Sequence, residues 1–321
     1  MNAKKLTFGV LAAILVMTIA VGCAKSKISA IQFVPSAASF VAQVQLDKLL
    51  NDRDLTGAYN KAQKGTGQPQ TAQEGLEKLT EKTGIDLRDF SQAVVFGDLL
   101  QLQNSKSGYL GAIAEGNFKE EEFVQGVKNK TGHELSTSDY KGYKLYADKD
   151  AQTTLAFLDD GLLVIGTPNA VKDTIDVRKG DKKPLGGSIM EAYNRLGDGL
   201  VKSAFILPKE ATKSLQQEAP GGFPVSLKAL ASIDTIGFIL SKEAGEVTIR
   251  IDSHFTDSAS AQDGKDTISG LISLLKGTMQ KQQAKELMGK IQVTAADSWL
   301  SISLTSAVSD LETLGETMQG R

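Results

Sequence analysis

The chain has 321 residues, 41% hydrophobic and 23% charged, which is ordinary for a globular protein and long enough to bury a core without staples. Its 36 Lys and Arg against 38 Asp and Glu give a formal net charge of −2, with the two signs interspersed. That balance argues against nucleic acid as a partner, because phosphate binding relies on a basic surface.

At the N-terminus Lys4 and Lys5 precede an uncharged, mostly apolar run from Leu6 to Val21, closed by Gly22 and Cys23. These are the regions of a secretory signal. The run is marginal for a spanning helix, which needs ~20 residues. Ile19-Ala20-Val21-Gly22-Cys23 resembles the lipobox of bacterial lipoproteins, in which the cysteine thiol receives a diacylglyceryl group before cleavage. Ala20 departs from that motif, where Leu, Val or Ile is more usual. The resemblance implies a signal peptide over residues 1–22 and Cys23 as the lipid-attachment residue; a plain secretory signal or an uncleaved anchor helix are the alternatives. Cys23 is the only cysteine, so its acylation leaves no thiol for a disulfide, a metal site or a nucleophile. Removing 22 residues, with two lysines and no acid, leaves 299 residues and a net charge of −4. The expected location is the extracytoplasmic side of the cell membrane or outer membrane, held by acyl chains. No later segment approaches spanning length, so the rest is expected to be soluble.

Residues 23–37, rich in Lys, Ser and Ala, read as a tether. Phe40, Ala42, Val44 and Leu46 alternate with Val41, Gln43 and Gln45, the period of a half-buried strand. Asp47 opens a helical stretch with Leu49, Leu50 and Leu55; a polar loop, Lys61 to Ala72, separates it from a second helix over residues 73–83 that stops at Gly84. Ala93–Phe96 and Tyr109–Ala114 are predicted neighbouring strands, and Asn117 with Glu120 resembles a capping box for the next helix. Strands are predicted at 143–146, 154–158 and 162–166, the last two joined by a tight turn at Asp159-Asp160-Gly161. Thr167-Pro168 starts a helix, Thr as cap and Pro in the first turn.

The second half is expected to replay this plan. Ser203–Leu207 is a strand entering a short helix, and Ile233–Leu240 and Glu246–Phe255 flank a turn at Glu243-Ala244-Gly245. On the latter strand Val247, Ile249, Ile251 and Phe255 share one face and Thr248, Arg250, Asp252 and His254 the other. Val247, Ile249 and Ile251 are expected to be buried, Arg250 and His254 more exposed. An amphipathic helix carries Ile268, Leu271, Ile272, Leu275 and Met279. A turn at Asp297-Ser298, a strand through Leu300, Ile302 and Leu304 and a final helix complete the chain. Thr167-Pro168-Asn169-Ala170-Val171-Lys172-Asp173 resembles Thr305-Ser306-Ala307-Val308-Ser309-Asp310 with one deletion, which a duplication explains, as does the general use of Thr, Ser and Asp as caps. The expected fold class is α+β, largely antiparallel sheets with helices packed on one face, in two related units over residues 38–196 and 197–321.

Phe33-Val34-Pro35 with the strand Phe40–Leu46, Gly142-Tyr143 before Lys144–Tyr146, and Asp160-Gly161-Leu162-Leu163-Val164-Ile165 carry a wider resemblance. The order of elements looks like a group of uncharacterised bacterial envelope proteins, in which a lipobox or single anchor helix precedes a duplicated α+β ectodomain. The resemblance implies a surface location and no known catalytic residue.

Chemistry-bearing patterns are sparse. His133 and His254 are the only histidines and read as solvated polar-face residues. Ser138-Asp139-Tyr140-Lys141 and Ser273-Leu274-Leu275-Lys276 match Ser-x-x-Lys, and Lys82-Thr83-Gly84 and Lys130-Thr131-Gly132 match Lys-Thr-Gly, but their order is mostly wrong and Ser138 reads as part of a polar turn. No Gly-x-Ser-x-Gly elbow or phosphate loop occurs. Asp148-Lys149-Asp150 lacks the glycine and glutamate of a calcium loop, and Glu120-Glu121-Glu122 reads as an acidic first helical turn. Trp299 suits packing on a neighbouring strand better than an exposed contact. No cofactor, metal site or catalytic residue is expected. The expected function is a lipid-anchored, non-catalytic binding or interaction scaffold whose partner is an envelope protein; the alternative is a carrier of lipid or another apolar ligand, with membrane lipid contacted through the acylated N-terminus.

Overall fold

The chain enters its first strand through residues expected to be tether. Ala30–Phe33 form a 3-10 turn, and Ala30 and Val34 are fully buried. The Leu185 N–H donates to Val34 O at 2.7 Å and the Ser36 N–H to Lys183 O at 3.1 Å, so residues 34–36 are held by backbone bonds. Apolar Ala30, Ile31, Phe33 and Val34 dock because leaving them in water would forfeit their burial. The computed structural model describes residues 29–62, 71–103, 108–132, 134–148, 150, 152–209, 212 and 228–311. The signal segment, Cys23, His133 and most of the loop between Lys61 and Ala72 lie outside them.

The chain divides into two units at Leu185/Gly186. The first contains β1 (Phe40–Gln45), α1 (Leu46–Asn51), α2 (Arg53–Ala62), α3 (Ala72–Thr83), β2 (Phe90–Gly97), α4 (Leu99–Gln103), β3 (Leu110–Gly116), α5 (Glu120–Thr131), β4 (Ser136–Tyr140), β5 (Tyr143–Ala147), β6 (Thr154–Asp159), β7 (Leu162–Gly166) and α6 (Pro168–Lys179). Its strands lie in the order β1-β2-β3-β7-β6-β5-β4, every neighbouring pair antiparallel. The α+β class and antiparallel pairing read from the sequence are therefore found.

Local signals explain most boundaries. The Thr71 hydroxyl caps α3 by accepting from the Glu74 N–H, and Gly84 ends the helix in the left-handed region. Pro168 and Gly180 bracket α6; Thr167 holds the N-cap position, but its hydroxyl donates to Leu110 O and makes no cap bond. Asn117, by contrast, does not cap α5: Lys119 holds that position, and the Asn117 N–H donates to Asp89 O in the bend after β3. Ser138 lies on edge strand β4 rather than in a turn. The turn is Lys141-Gly142, both at positive φ as a tight hairpin requires. Gly161 combines φ +67° with a backbone approach so close that a Cβ would lie 2.3 Å from Gly116 O.

Register places Val41, Phe96, Val94, Ile113, Val164 and Leu162 on one sheet face, all essentially inaccessible. The 3-10 turn and α6 cover this face. On the opposite face Phe90, Phe118, Phe123 and Phe157 pack in tilted and edge-to-face pairs, with centroids 5.2–6.3 Å apart, and bring α5 onto the sheet.

The β4–β5 hairpin is latched to α6 by charge. Asp176, only 5% exposed, accepts from Lys141 Nζ at 2.6 Å and from the Tyr140 hydroxyl at 3.0 Å, and Lys141 also reaches Asp181 at 2.6 Å. Burial pushes the Asp176 carboxyl up, but the Lys141 and Tyr140 hydrogen bonds and the Lys141 and Lys182 charges outweigh it and hold the group below the usual carboxylate range. A depressed folded pKa means the latch is at full strength above the unfolded value and is lost as pH falls through the folded one. Asp176→Asn should cost about 1–3 kcal/mol and flatten the acid limb of unfolding below about pH 4. Hydrogen exchange over residues 136–147 reads the effect; unchanged protection would remove the latch from the account.

The second unit contains α7 (Gly187–Arg195), β8 (Val201–Ile206), β9 (Ile233–Glu243), β10 (Glu246–Phe255), α8 (Ser258–Thr278), α9 (Gln282–Gly289), β11 (Gln292–Ala296) and β12 (Trp299–Ala307). Its order is β8-β9-β10-β12-β11, again antiparallel throughout. The division falls eleven residues before the expected Leu196/Gly197 boundary because α7 packs on β8 and β9, with Gly237 making room beneath Ala192 and Leu196. In both units the first three strands lie side by side, the last inserts beside the third, and the penultimate lies outside it. The first unit adds the β4–β5 hairpin beyond that point.

Candidate functional site

Register sorts the second sheet into two unlike faces. One face carries three cross-strand rows: Val201, Leu240, Ile249 and Leu304; then Ser203, Phe238, Ile251, Ile302 and Val293; then Phe205, Ile236, Ser253, Leu300 and Ala295. The face is sealed at the end near Phe255 and closed again at the far end, where Val247 is buried. Phe255, Ala261 and Leu300 are buried at the first of these ends with Ile268, Val293 and Ile302 against them, and Gly264 leaves the space that the Phe255 ring fills. Between the two ends the apolar side chains of the first two rows are half-buried, Ile249 and Ile251 included, whereas only Val247 of the three residues expected to be buried is fully so. On the C-terminal half of α8, Leu274 and Leu275 are exposed at 37% and 47%. The first two rows hold one polar side chain, Ser203, so the surface can take up apolar groups and has little else to offer.

The other face is polar yet covered, here by α7. Thr235, Gly237 and Ile239 of β9 lie opposite His254, Asp252 and Arg250 of β10, with Trp299 beyond His254. His254 Nδ1 is 2.8 Å from Asp234 Oδ1, and its ring lies 4.8 Å from that of Trp299. The Arg195 guanidinium stands 4.4 Å over the Trp299 ring, and Arg250 Nη2 donates to Arg195 O at 2.9 Å. Asp252 is 4% exposed, against the expectation of a solvated polar face. Its Oδ1 is 3.3 Å from Arg250 Nε without hydrogen-bond geometry, and among the described residues neither that oxygen nor the buried Thr235 hydroxyl has a hydrogen-bond partner.

The pair His254–Asp234 has the first two members of a catalytic relay, but among the described residues no hydroxyl is hydrogen-bonded to His254. Trp299 is buried, the packing reading of the sequence. The remaining fragments are scattered. Ser273 and Lys276 are exposed on α8, the two Lys-Thr-Gly fragments are the C-terminal ends of α3 and α5, and Lys141 is committed to Asp176. Asp148 accepts from the Gln152 and Thr153 N–H groups in a local turn. Among the described residues no group of three His, Cys, Asp or Glu could hold a metal ion, and no helix is long and apolar enough to cross a membrane. The sequence does not show the half-open apolar face or the burial of Asp252 and Thr235 on the polar one. Both depend on which helix covers which face.

Residues 7–265 match the sequence profile of a family described as a protein of unknown function (DUF3352). No curated protein matches the chain. Among solved structures, crystal form III of TP0453 is similar with a TM-score of 0.49 at 9% identity, over 91% of this chain and 100% of that one. Crystal form I of TP0453 gives 0.47 at 10% identity, over 92% and 99%.

Proposed function

The chain belongs to the DUF3352 family of proteins of unknown function, and we propose that it is a lipid-anchored, non-catalytic binding protein of the bacterial envelope. In this reading Cys23 carries the acyl chains, residues 24–29 link them to the fold, and the second unit binds through the half-open face of β8–β12. The observation that supports it is the two apolar rows left half-buried beside an amphipathic helix with exposed leucines. A carrier of lipid or another acyl-chain ligand is the reading this face favours over a purely protein-binding scaffold, because its two half-open rows hold one polar side chain. Duplication of one α+β unit belongs to the same proposal and is supported by the shared strand order.

Native mass spectrometry of the full chain from mild detergent tests the carrier reading. The wild type should retain an extractable apolar ligand, and Ile249→Glu should reduce its occupancy at least tenfold, since a carboxylate among apolar groups must be desolvated to admit the ligand. A wild-type chain that releases nothing into organic solvent removes the carrier and leaves the scaffold.

A further inference from the structure

The point at which the chain becomes fixed sits close to its proposed anchor. Ala30 is fully buried, and its N–H donates to Oε1 of the buried Glu115 at 2.8 Å. Seven residue steps separate Cys23 from Ala30, a reach of ~25 Å fully extended and about 15 Å on average for a flexible link. The first unit therefore cannot stand far from the headgroups once Cys23 is acylated, and one part of its surface adjoins the attachment point. The Arg178 guanidinium lies 5.2 Å over the Phe33 ring, and residues 183–185 run beside 34–36.

That part is rich in exposed cations. Lys179, Lys182, Lys183 and Pro184 are exposed. Of the acids nearby, Asp159 is engaged with Arg178, Asp173 and Asp176 with Lys182, and Asp176 and Asp181 with Lys141. Lys179 lies over the Tyr143 ring instead, 4.9 Å from its centroid, and among the described residues neither it nor Lys183 has an ion pair. Electrostatic attraction in physiological salt decays over ~8 Å. Cations on a body held this close spend much of their time within that range, whereas the same lysines on a long tether would not.

We propose that the segment from Arg178 to Pro184, with the adjoining Phe33, is the membrane-facing surface of the first unit and binds anionic lipid headgroups through Lys179 and Lys183. The proposal rests on acylation of Cys23, which orients this surface; the lysines then hold the unit against the bilayer and restrict its rotation about the link. The full acylated chain is reconstituted into vesicles of phosphatidylcholine with or without phosphatidylglycerol and treated with a membrane-impermeant amine reagent. Labelling of Lys179 and Lys183, relative to exposed Lys276 on α8, should fall several-fold on the anionic vesicles and recover at high salt. Equal labelling on both vesicle types overturns the proposal. The mass of the N-terminal peptide in the same digest reports acylation separately, so a missing lipid refutes the anchor and not the surface. In that event the unacylated chain carries the test: it should bind anionic vesicles weakly, and Lys179→Glu or Lys183→Glu should each lower that binding at least about fivefold; no loss in either variant overturns the proposal as well.

Discussion

Replacing Cys23 with serine is expected to abolish lipid attachment while the fold persists. A single fourteen-carbon chain gives only marginal membrane binding, with K about 10⁴ M⁻¹, and stable anchoring takes two signals. Two or three chains on one cysteine meet that requirement, so losing them should lower partitioning by several orders of magnitude. The fold should not notice, because the first buried residue described is Ala30 and its contact to Glu115 is made by backbone rather than by the link. Labelling with a fatty-acid analogue decides it, and undiminished label on the serine variant would refute the assignment of Cys23. An unchanged far-UV spectrum is expected alongside.

The largest loss of stability in the second unit is expected from Phe255→Ala. Phe255 is fully buried at the sealed end of the apolar face, with its ring seated on Gly264 of α8. A Cβ at Gly264 would lie 2.6 Å from the ring, so the helix and the phenyl group occupy complementary volumes with no slack. Truncation removes the transfer free energy of the ring and leaves a cavity that α8 and β10 can only partly close, at a cost of about 3–5 kcal/mol. Because the chain has two units, a single melting temperature would blur the effect. Hydrogen exchange resolved over residues 246–255 and 299–307 is the right measurement, with the first unit as internal control. A loss below about 1 kcal/mol would mean that the sealed end is much less tightly packed than its geometry indicates. The half-buried Ile249 provides the contrast, since Ile249→Ala removes side-chain area already in partial contact with water and should cost distinctly less.

Where sequence and structure part company, the cause is usually a face or an edge. The alternation in β10 separates apolar from polar residues correctly, and Val247 and Phe255 are buried as it requires. Alternation does not say which face is covered. With α7 on the polar face, Asp252 is buried, while Ile249 and Ile251 on the apolar face stay half-open. Strand β4 was taken for a polar turn because an exposed edge strand has no apolar alternation to display; its five residues are exposed or nearly so. The residues 30–37 were read as tether on composition, yet backbone hydrogen bonds to 183–185, about 150 positions away, hold 34–36 in the fold.

The sequence by itself determined what depends on neighbouring residues. The lipobox likeness at Cys23, the strand periods, the Gly84 and Gly180 helix stops, the Thr167-Pro168 helix start and the turn at Ala244-Gly245 are all short-range features, set by local sterics, capping and backbone conformation. Those signals are enough to give the α+β class. Only the tertiary structure decided the sheet order, the allotment of α7 to the second unit, the latch of Lys141 on Asp176 and the half-open state of the β8–β12 face. Each of these joins residues far apart in the chain. Which of them form depends on the burial gained against the loop entropy lost when distant segments meet, and no local pattern encodes that balance.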